Sequence, residues 1–196
     1  MNDHKGFFAM MARMKYIERW ALMRNSVSEN ICEHSLEVAM LAHGLGIIGR
    51  KRFGKDLSPE RLAMLGMYHD CTEIITGDMP TPVKYANDEL KEAYKAIEDS
   101  AAHRLLEMLP EDLRAEYESY FLPKQITPEE YRYVKAADKL SALIKCIEEE
   151  KTGNQEFRSA KQATYESLQQ MNMPEVTVFC EVFLPEYYKT LDELEH

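Results

Sequence analysis

Apolar residues recur at three- and four-residue intervals along nearly the whole chain, and no segment alternates convincingly in the two-residue rhythm of a strand. Phe8, Met11 and Ile17 predict a first helix from Phe7 to about Trp20. Leu36, Ala39, Met40, His43 and Ile47 predict a second, from near Asn30 to Arg50. Ser58-Pro59 reads as an N-cap followed by proline at the first helical position, and Gly77 as the stop of that third helix. Two prolines and a glycine between Gly77 and Lys84 argue for a rigid loop rather than a helix. Helical pattern resumes from about Asn87 to Met108, pauses at Pro110 and stops near Pro123. Thr127-Pro128-Glu129-Glu130 is a capping box that opens a long helix to about Glu150, with Gly153 after it. Two more helices fit Asn154 to Gln170 and Pro174 to Phe183. With no internal repeat, low-complexity tract or flexible linker, residues 1–196 read as a single all-α domain, a bundle of six or more helices.

Length and composition fit that reading. The 196 residues suffice for one sizeable core, and 45% apolar with 30% charged residues is ordinary for a soluble globular protein. The formal net charge of -10, without a lysine–arginine run, disfavours a nucleic-acid polymer as partner. A small phosphorylated ligand stays possible, because a few local cations suffice to hold it. There is no secretory start and no uninterrupted apolar stretch of about 18 residues, so no membrane partner is expected. Cys32, Cys71, Cys146 and Cys180 form no C-x-x-C pair and read as reduced thiols in a cytoplasmic protein.

The chemistry concentrates in Met67-Tyr68-His69-Asp70-Cys71-Thr72-Glu73. If the third helix runs through it, Glu73 shares a face with His69 and Asp70. His34 lies far upstream and Asp138 far downstream, each on an amphipathic helix. Two imidazoles and two carboxylates suit a divalent ion such as Mn²⁺, Co²⁺, Fe²⁺, Ni²⁺ or Zn²⁺ better than Ca²⁺. Such a site leaves positions open for water and a substrate oxygen, and Glu73 could orient or deprotonate that water without being a ligand. The alternative at each histidine is an ordinary hydrogen-bonded core or surface residue. His43 and His103 lack acidic companions and are read that way. Asp138, among Ala136, Ala137 and Leu140, needs a partner if its helix face is buried. A di-iron oxidase would require paired Glu-x-x-His motifs, which are absent in the required arrangement.

The order H…HD…D resembles the HD-domain metal-dependent phosphohydrolases. Arg19-Trp20, Met23-Arg24-Asn25, Glu29-Asn30, Glu33-His34-Ser35, Tyr68-His69-Asp70, Gly77-Asp78, Pro80 to Lys84 and Lys135 to Asp138 narrow the resemblance to the bacterial YfbR-like 5′-deoxynucleotidases. It covers nearly the whole chain. The resemblance implies an HD-type bundle that hydrolyses deoxyribonucleoside 5′-monophosphates to deoxynucleoside and phosphate. It implies one divalent metal ion, Co²⁺ or Mn²⁺ foremost with Zn²⁺, Fe²⁺, Ni²⁺ or Cu²⁺ as alternatives, on His34, His69, Asp70 and Asp138. Glu73 and Arg19 become catalytic, and Arg19, Trp20, Asp78, Thr81, Pro82, Val83 and Lys84 meet the substrate. A homodimer is implied too.

Physical chemistry leaves a competitor for several of these roles. Arg19 can grip a phosphate bidentately or form a surface salt bridge. Trp20 can lie against the sugar and disfavour a 2′-hydroxyl, or pack in the core. Asp78 can accept from the 3′-hydroxyl or brace a turn, and Lys84 can assist Arg19 or be solvated. Rival activities are an HD-type dNTP triphosphohydrolase, a cyclic-nucleotide phosphodiesterase and a non-hydrolysing nucleotide sensor. Product analysis separates the enzymes, and a single-turnover assay separates the sensor.

Overall fold

The computed structural model describes residues 5–84 and 86–195, the side chain of Thr81 excepted. Its α-helices are α1 (Phe7–Met11), α2 (Ile31–Phe53), α3 (Pro59–Tyr68), α4 (Glu73–Thr76), α5 (Thr81–Lys84), α6 (Asp88–Leu106), α7 (Glu111–Phe121), α8 (Pro128–Lys151), α9 (Arg158–Gln170), α10 (Pro174–Val182) and α11 (Leu191–Leu194). Short 3-10 segments follow α1 (Ala12–Tyr16), α7 (Pro123–Gln125) and α10 (Leu184–Tyr188). Among the described residues there is no strand, only an isolated antiparallel bridge between Glu18 and Asn30.

Local sequence sets most helix ends. The Asn30 side chain accepts from the N–H groups of Cys32 and Glu33 at 3.0 and 3.1 Å, starting α2. Gly54, at φ 65°, ends it in the left-handed conformation that glycine adopts without steric cost. The predicted capping box forms: Glu130 N donates to Thr127 Oγ1 at 3.1 Å and Thr127 N to Glu130 Oε2 at 2.8 Å.

Three expectations need correction. The first helix does not reach Trp20. It stops at Met11 and tightens to 3-10 geometry through Tyr16. Beyond it the backbone pairs across to the start of α2, Arg19 N donating to Glu29 O at 2.8 Å and Ile31 N to Ile17 O at 3.0 Å. Those ladder bonds replace the helical ones that Phe7–Trp20 would have used. The third helix is likewise broken, ending at Tyr68 and resuming at Glu73 with a turn between. The Pro80–Lys84 stretch, expected as a loop, contains the short helix α5, with Val83 N and Lys84 N bonded to Pro80 O at 2.8 and 3.0 Å. Proline obstructs a helix interior but not its first turn, where its missing N–H is not needed.

α2 is the hub, packed against both α3 and α8. One core joins Val38, Leu41 and Leu45 of α2, Leu62 and Leu65 of α3, Leu140, Leu143 and Ile144 of α8 and Val176 and Phe179 of α10. Full burial of such a side chain contributes about 1.5–3 kcal/mol. A second core gathers Phe7, Met14, Ile31, Cys71, Leu105, Leu106 and Phe121. α2 alone among the described helices has the length and apolar composition of a membrane span, yet its apolar side is the hub of the core. Gly66 brings α3 onto α2, since a Cβ there would lie 3.0 Å from the backbone of Ala39. This close approach and the fully buried Ala136 and Ala137 of α8 set the spacing between the helices that carry the site.

Candidate metal centre and phosphate site

Four separate parts of the chain converge here: the Arg19–Asn30 segment, α2, the α3–α4 turn and α8. His34 stands one turn into α2 and is 1% exposed. Its Nδ1 lies 3.0 Å from Ser141 Oγ of α8 and 3.5 Å from Glu29 Oε1, and Ser141 in turn donates to Glu37 Oε2. This chain of bonds occupies Nδ1 and turns Nε2 inward. His69 is held similarly, Nδ1 lying 2.7 Å from Gly66 O as the imidazole donates to that carbonyl. The buried Nε2 atoms of both rings have no hydrogen-bond partner among the described residues.

Both of these nitrogens point toward Asp70. Its Oδ2 is 3.0 Å from His69 Nε2 and 3.4 Å from His34 Nε2, and the ligand atoms of His34, His69 and Asp70 all lie within 4.8 Å of one another. Asp138 stands beside this trio, Oδ1 3.4 Å from His34 Nε2 and Oδ2 2.6 Å from Lys135 Nζ. His69 and Asp70 reach this point from the tight turn between α3 and α4, where Cys71 N donates to Tyr68 O at 3.1 Å and Glu73 N to Asp70 O at 3.0 Å.

The electrostatics are those of a site short of positive charge. Burial disfavours a charged His34, but the close carboxylates of Asp138, Asp70 and Glu29 outweigh it and raise its pKa well above the usual value. Burial likewise opposes the charges of Asp70 and Asp138. The histidines hold Asp70 well below the carboxylate range, and Lys135 with His34 does the same for Asp138. Unpartnered imidazole nitrogens among carboxylates fit a divalent cation, which would replace the proton that the cluster attracts.

Glu73 opens α4 and is 6% exposed, and its Oε2 lacks a hydrogen-bond partner among the described residues. Burial first, then Asp70 and Asp78, pushes its carboxyl up to about 9. Arg19 faces the cluster, Nη1 3.5 Å from Asp70 Oδ2 and Nε 3.4 Å from Glu29 Oε2. The latter approach is not aligned as a hydrogen bond, so the buried Nε retains an unused donor. Trp20 adopts φ 58°, a strained conformation for a bulky residue. Its ring meets Phe157 edge-on at 5.2 Å, and its indole donates to Glu29.

Burial raises the pKa of Asp78 despite nearby Arg19. Lys84 is already engaged, donating to Glu98 Oε1 of α6 at 2.8 Å and lying 4.7 Å from the Tyr94 ring centroid. Pro82 and Val83 are exposed on α5, and the side chain of Thr81 lies outside the described residues. His43 and His103 are exposed and stand outside this group of ligand atoms, and the four cysteines are free, as expected.

Glu29, Glu37 and Ser141 received no role from sequence. Glu29 meets Trp20, Arg19 and His34 at once, a junction that only the Arg19–Glu29 backbone pairing creates. In the sequence Glu29 stands out only as part of the Glu29-Asn30 pair that carries the family resemblance.

The model of the 5′-deoxynucleotidase YfbR-like family matches residues 6–187. A 5′-deoxynucleotidase of Vibrio cholerae is 48% identical over 188 residues, covering 96% of this chain and 97% of the relative. One from Erwinia tasmaniensis is 48% identical over 191 residues, covering 97% and 96% respectively. Among solved structures, an HD-domain phosphohydrolase of Listeria innocua superposes with a TM-score of 0.80 at 22% identity, covering 96% of this chain and 91% of that one. The cyanophage S-2L HD phosphohydrolase DatZ, bound to dA and one catalytic Zn²⁺ ion, gives 0.64 at 23% identity over 93% and 96% of the two chains. At those identities the two structures establish the shared all-α HD fold.

Proposed function

The chain belongs to the YfbR-like 5′-deoxynucleotidase family, and from that premise we infer that it hydrolyses deoxyribonucleoside 5′-monophosphates to deoxynucleoside and phosphate. The observation that carries the site assignment is the pair of buried, unpartnered Nε2 atoms of His34 and His69 beside Asp70. His34, His69, Asp70 and Asp138 would hold a divalent cation, with two nitrogens and two carboxylates as its donors. When bound, such an ion supplies Lewis-acid polarisation of a phosphoryl oxygen and makes water acidic near neutral pH.

The chain's own residues do the rest. Arg19 binds the phosphate, its buried guanidinium donating through Nε and a terminal nitrogen. Its charge offsets the negative charge that spreads over the phosphoryl oxygens as the bond to O5′ breaks. Glu73, which the positive charge of a bound cation would return to its ionised form, orients the attacking water through Oε2 and takes up its proton. The departing O5′ takes a proton from solvent water as the deoxynucleoside forms. Glu29 anchors Arg19 and Trp20 relative to His34. Trp20 lies along the sugar and disfavours a 2′-hydroxyl. Asp78 faces the 3′-hydroxyl, and α5, with Thr81 to Lys84, borders the nucleoside. Because Glu98 already binds Lys84, that lysine contributes charge rather than a dedicated phosphate contact.

Co²⁺ and Mn²⁺ are the proposed ions, a homodimer the proposed assembly and the cytoplasm the proposed location, consistent with four free cysteines. The deciding experiment measures phosphate release from dAMP and AMP by metal-stripped protein, with Co²⁺, Mn²⁺, Mg²⁺ or Zn²⁺ restored singly. Metal-dependent release favouring dAMP is expected, and no release with any ion would refute the reading. Light scattering on the eluting protein tests the dimer.

A further inference from the structure

A pocket of about 990 Å³ lies between α1, the Ala12–Tyr16 segment and the adjoining parts of α6 and α7. It shares no lining residue with the cluster around Asp70. Arg13, Lys15, Arg104 and Arg114 line it, against the single carboxylate of Glu107. In a chain of net charge -10 this is a local reversal of sign. Arg114 is fixed by bonds from Nε to Leu106 O at 3.3 Å and from a terminal nitrogen to Leu109 O at 3.5 Å. Arg13 and Lys15 rest 5.7 and 5.1 Å from the Tyr16 ring centroid. Among the described residues none of Arg13, Lys15 and Arg104 forms an ion pair with a carboxylate.

Met10, Met108 and Tyr16 complete the wall with apolar and aromatic surface. The volume far exceeds a lone phosphate, and the depression is open to solvent, with Arg13, Lys15, Tyr16 and Arg104 exposed along it. Arginine forks suit phosphate oxygens, while methionine and tyrosine suit a planar apolar body. With one carboxylate and no imidazole or thiol in its wall, the cavity lacks a metal-ligand set and is equipped to bind rather than to cut.

We propose that this cavity is a binding site for a phosphorylated anion of the nucleoside di- or triphosphate class, separate from the catalytic centre. The phosphates meet Arg13, Lys15 and Arg104, and the nucleoside lies against Met10, Met108 and Tyr16. Tyr16 ends the segment three residues before Arg19 in the chain.

Calorimetric titration of the full chain, with metal removed by chelation, tests this with dATP, inorganic tripolyphosphate and deoxyadenosine as probes. dATP should bind more tightly than either fragment. Its affinity should fall at least about tenfold in an Arg13→Glu/Arg104→Glu variant and stay unchanged in Arg19→Ala. Circular dichroism establishes that the charge-reversed variant is folded, and its KM for dAMP with metal restored should match the parent. Absence of dATP binding, or binding abolished by Arg19→Ala alone, would overturn the proposal. Equal affinity for tripolyphosphate and dATP would overturn its nucleoside half and assign the cations to an inorganic polyphosphate. None of these titrations depends on hydrolysis, so their failure is distinguishable from failure of the nucleotidase reading.

Discussion

The indole Nε1 of Trp20 donates to Glu29 Oε2 at 2.7 Å, and that carboxylate also approaches Arg19 Nε at 3.4 Å and His34 Nδ1 at 3.5 Å. One half-buried glutamate thereby ties the residue proposed to face the sugar, the residue proposed to hold phosphate and the first metal-ligand candidate into a single unit. Positions in such a unit shift together, so its members should not behave additively on mutation.

Trp20→Ala should release the steric limit at the sugar. The ratio of kcat/KM for AMP to that for dAMP is expected to rise roughly tenfold, the scale on which pocket shape alone discriminates a hydroxyl. An unchanged ratio would return Trp20 to a packing role against Phe157.

Glu73→Ala should reduce kcat for dAMP by about 10²–10⁴, the usual contribution of a positioned acid or base. Metal content, measured by elemental analysis of the purified variant, should equal that of the parent. Robust turnover would remove Glu73 from the mechanism.

Ser141→Ala removes the hydroxyl that faces His34 Nδ1 and links it to Glu37. Loss of such a support typically weakens metal binding by about 10- to 100-fold. Competition against a chelating dye reads the affinity directly. Helix content and Tm should change little, because alanine fits within the space serine leaves.

A distant acid should govern stability at low pH. Glu149, 1% exposed near the end of α8, receives the N–H of Ser26 at 2.8 Å, Asn154 Nδ2 at 2.8 Å and Lys145. Burial opposes its charge, but the bonds from Lys145, Asn154 and Ser26 prevail and hold its pKa at about 2, against an ordinary 4.5. The unfolded chain therefore binds this proton more readily, and stability rises with pH across that interval. On acidification from about pH 4.5 to 2 the protein should lose roughly 3 kcal/mol from this group. In Glu149→Gln, urea denaturation should give lower stability at pH 7 and a shallower decline below pH 4.5. Because Glu149 pins the backbone at Ser26, the variant should also loosen the Trp20–Glu29 segment, read as a higher KM for dAMP.

Periodicity and capping residues determined the all-α class and most helix boundaries. Asn30, Ser58 and the Thr127–Glu130 box act within a single turn, and apolar spacing at three and four residues marks a buried face wherever the chain goes. The motif order was legible for the same reason: His34, the His69-Asp70 pair and Asp138 are chemically unusual on apolar helix faces. Tertiary structure decided what local propensity cannot reach. The helix from Phe7 yields before Trp20 because pairing with the start of α2 offers its backbone other partners. The third helix breaks at His69, and only the approach of α2 and α8 gives the turn's side chains something to converge on. Glu29, Ser141 and Glu37 gain their roles solely from contacts across the fold, Ser141 and Glu37 at separations of 107 and 104 residues. Hydrogen bonds and charges act over a few ångströms of space, and sequence fixes that spacing only within a helical turn. Everything beyond depends on how the helices pack.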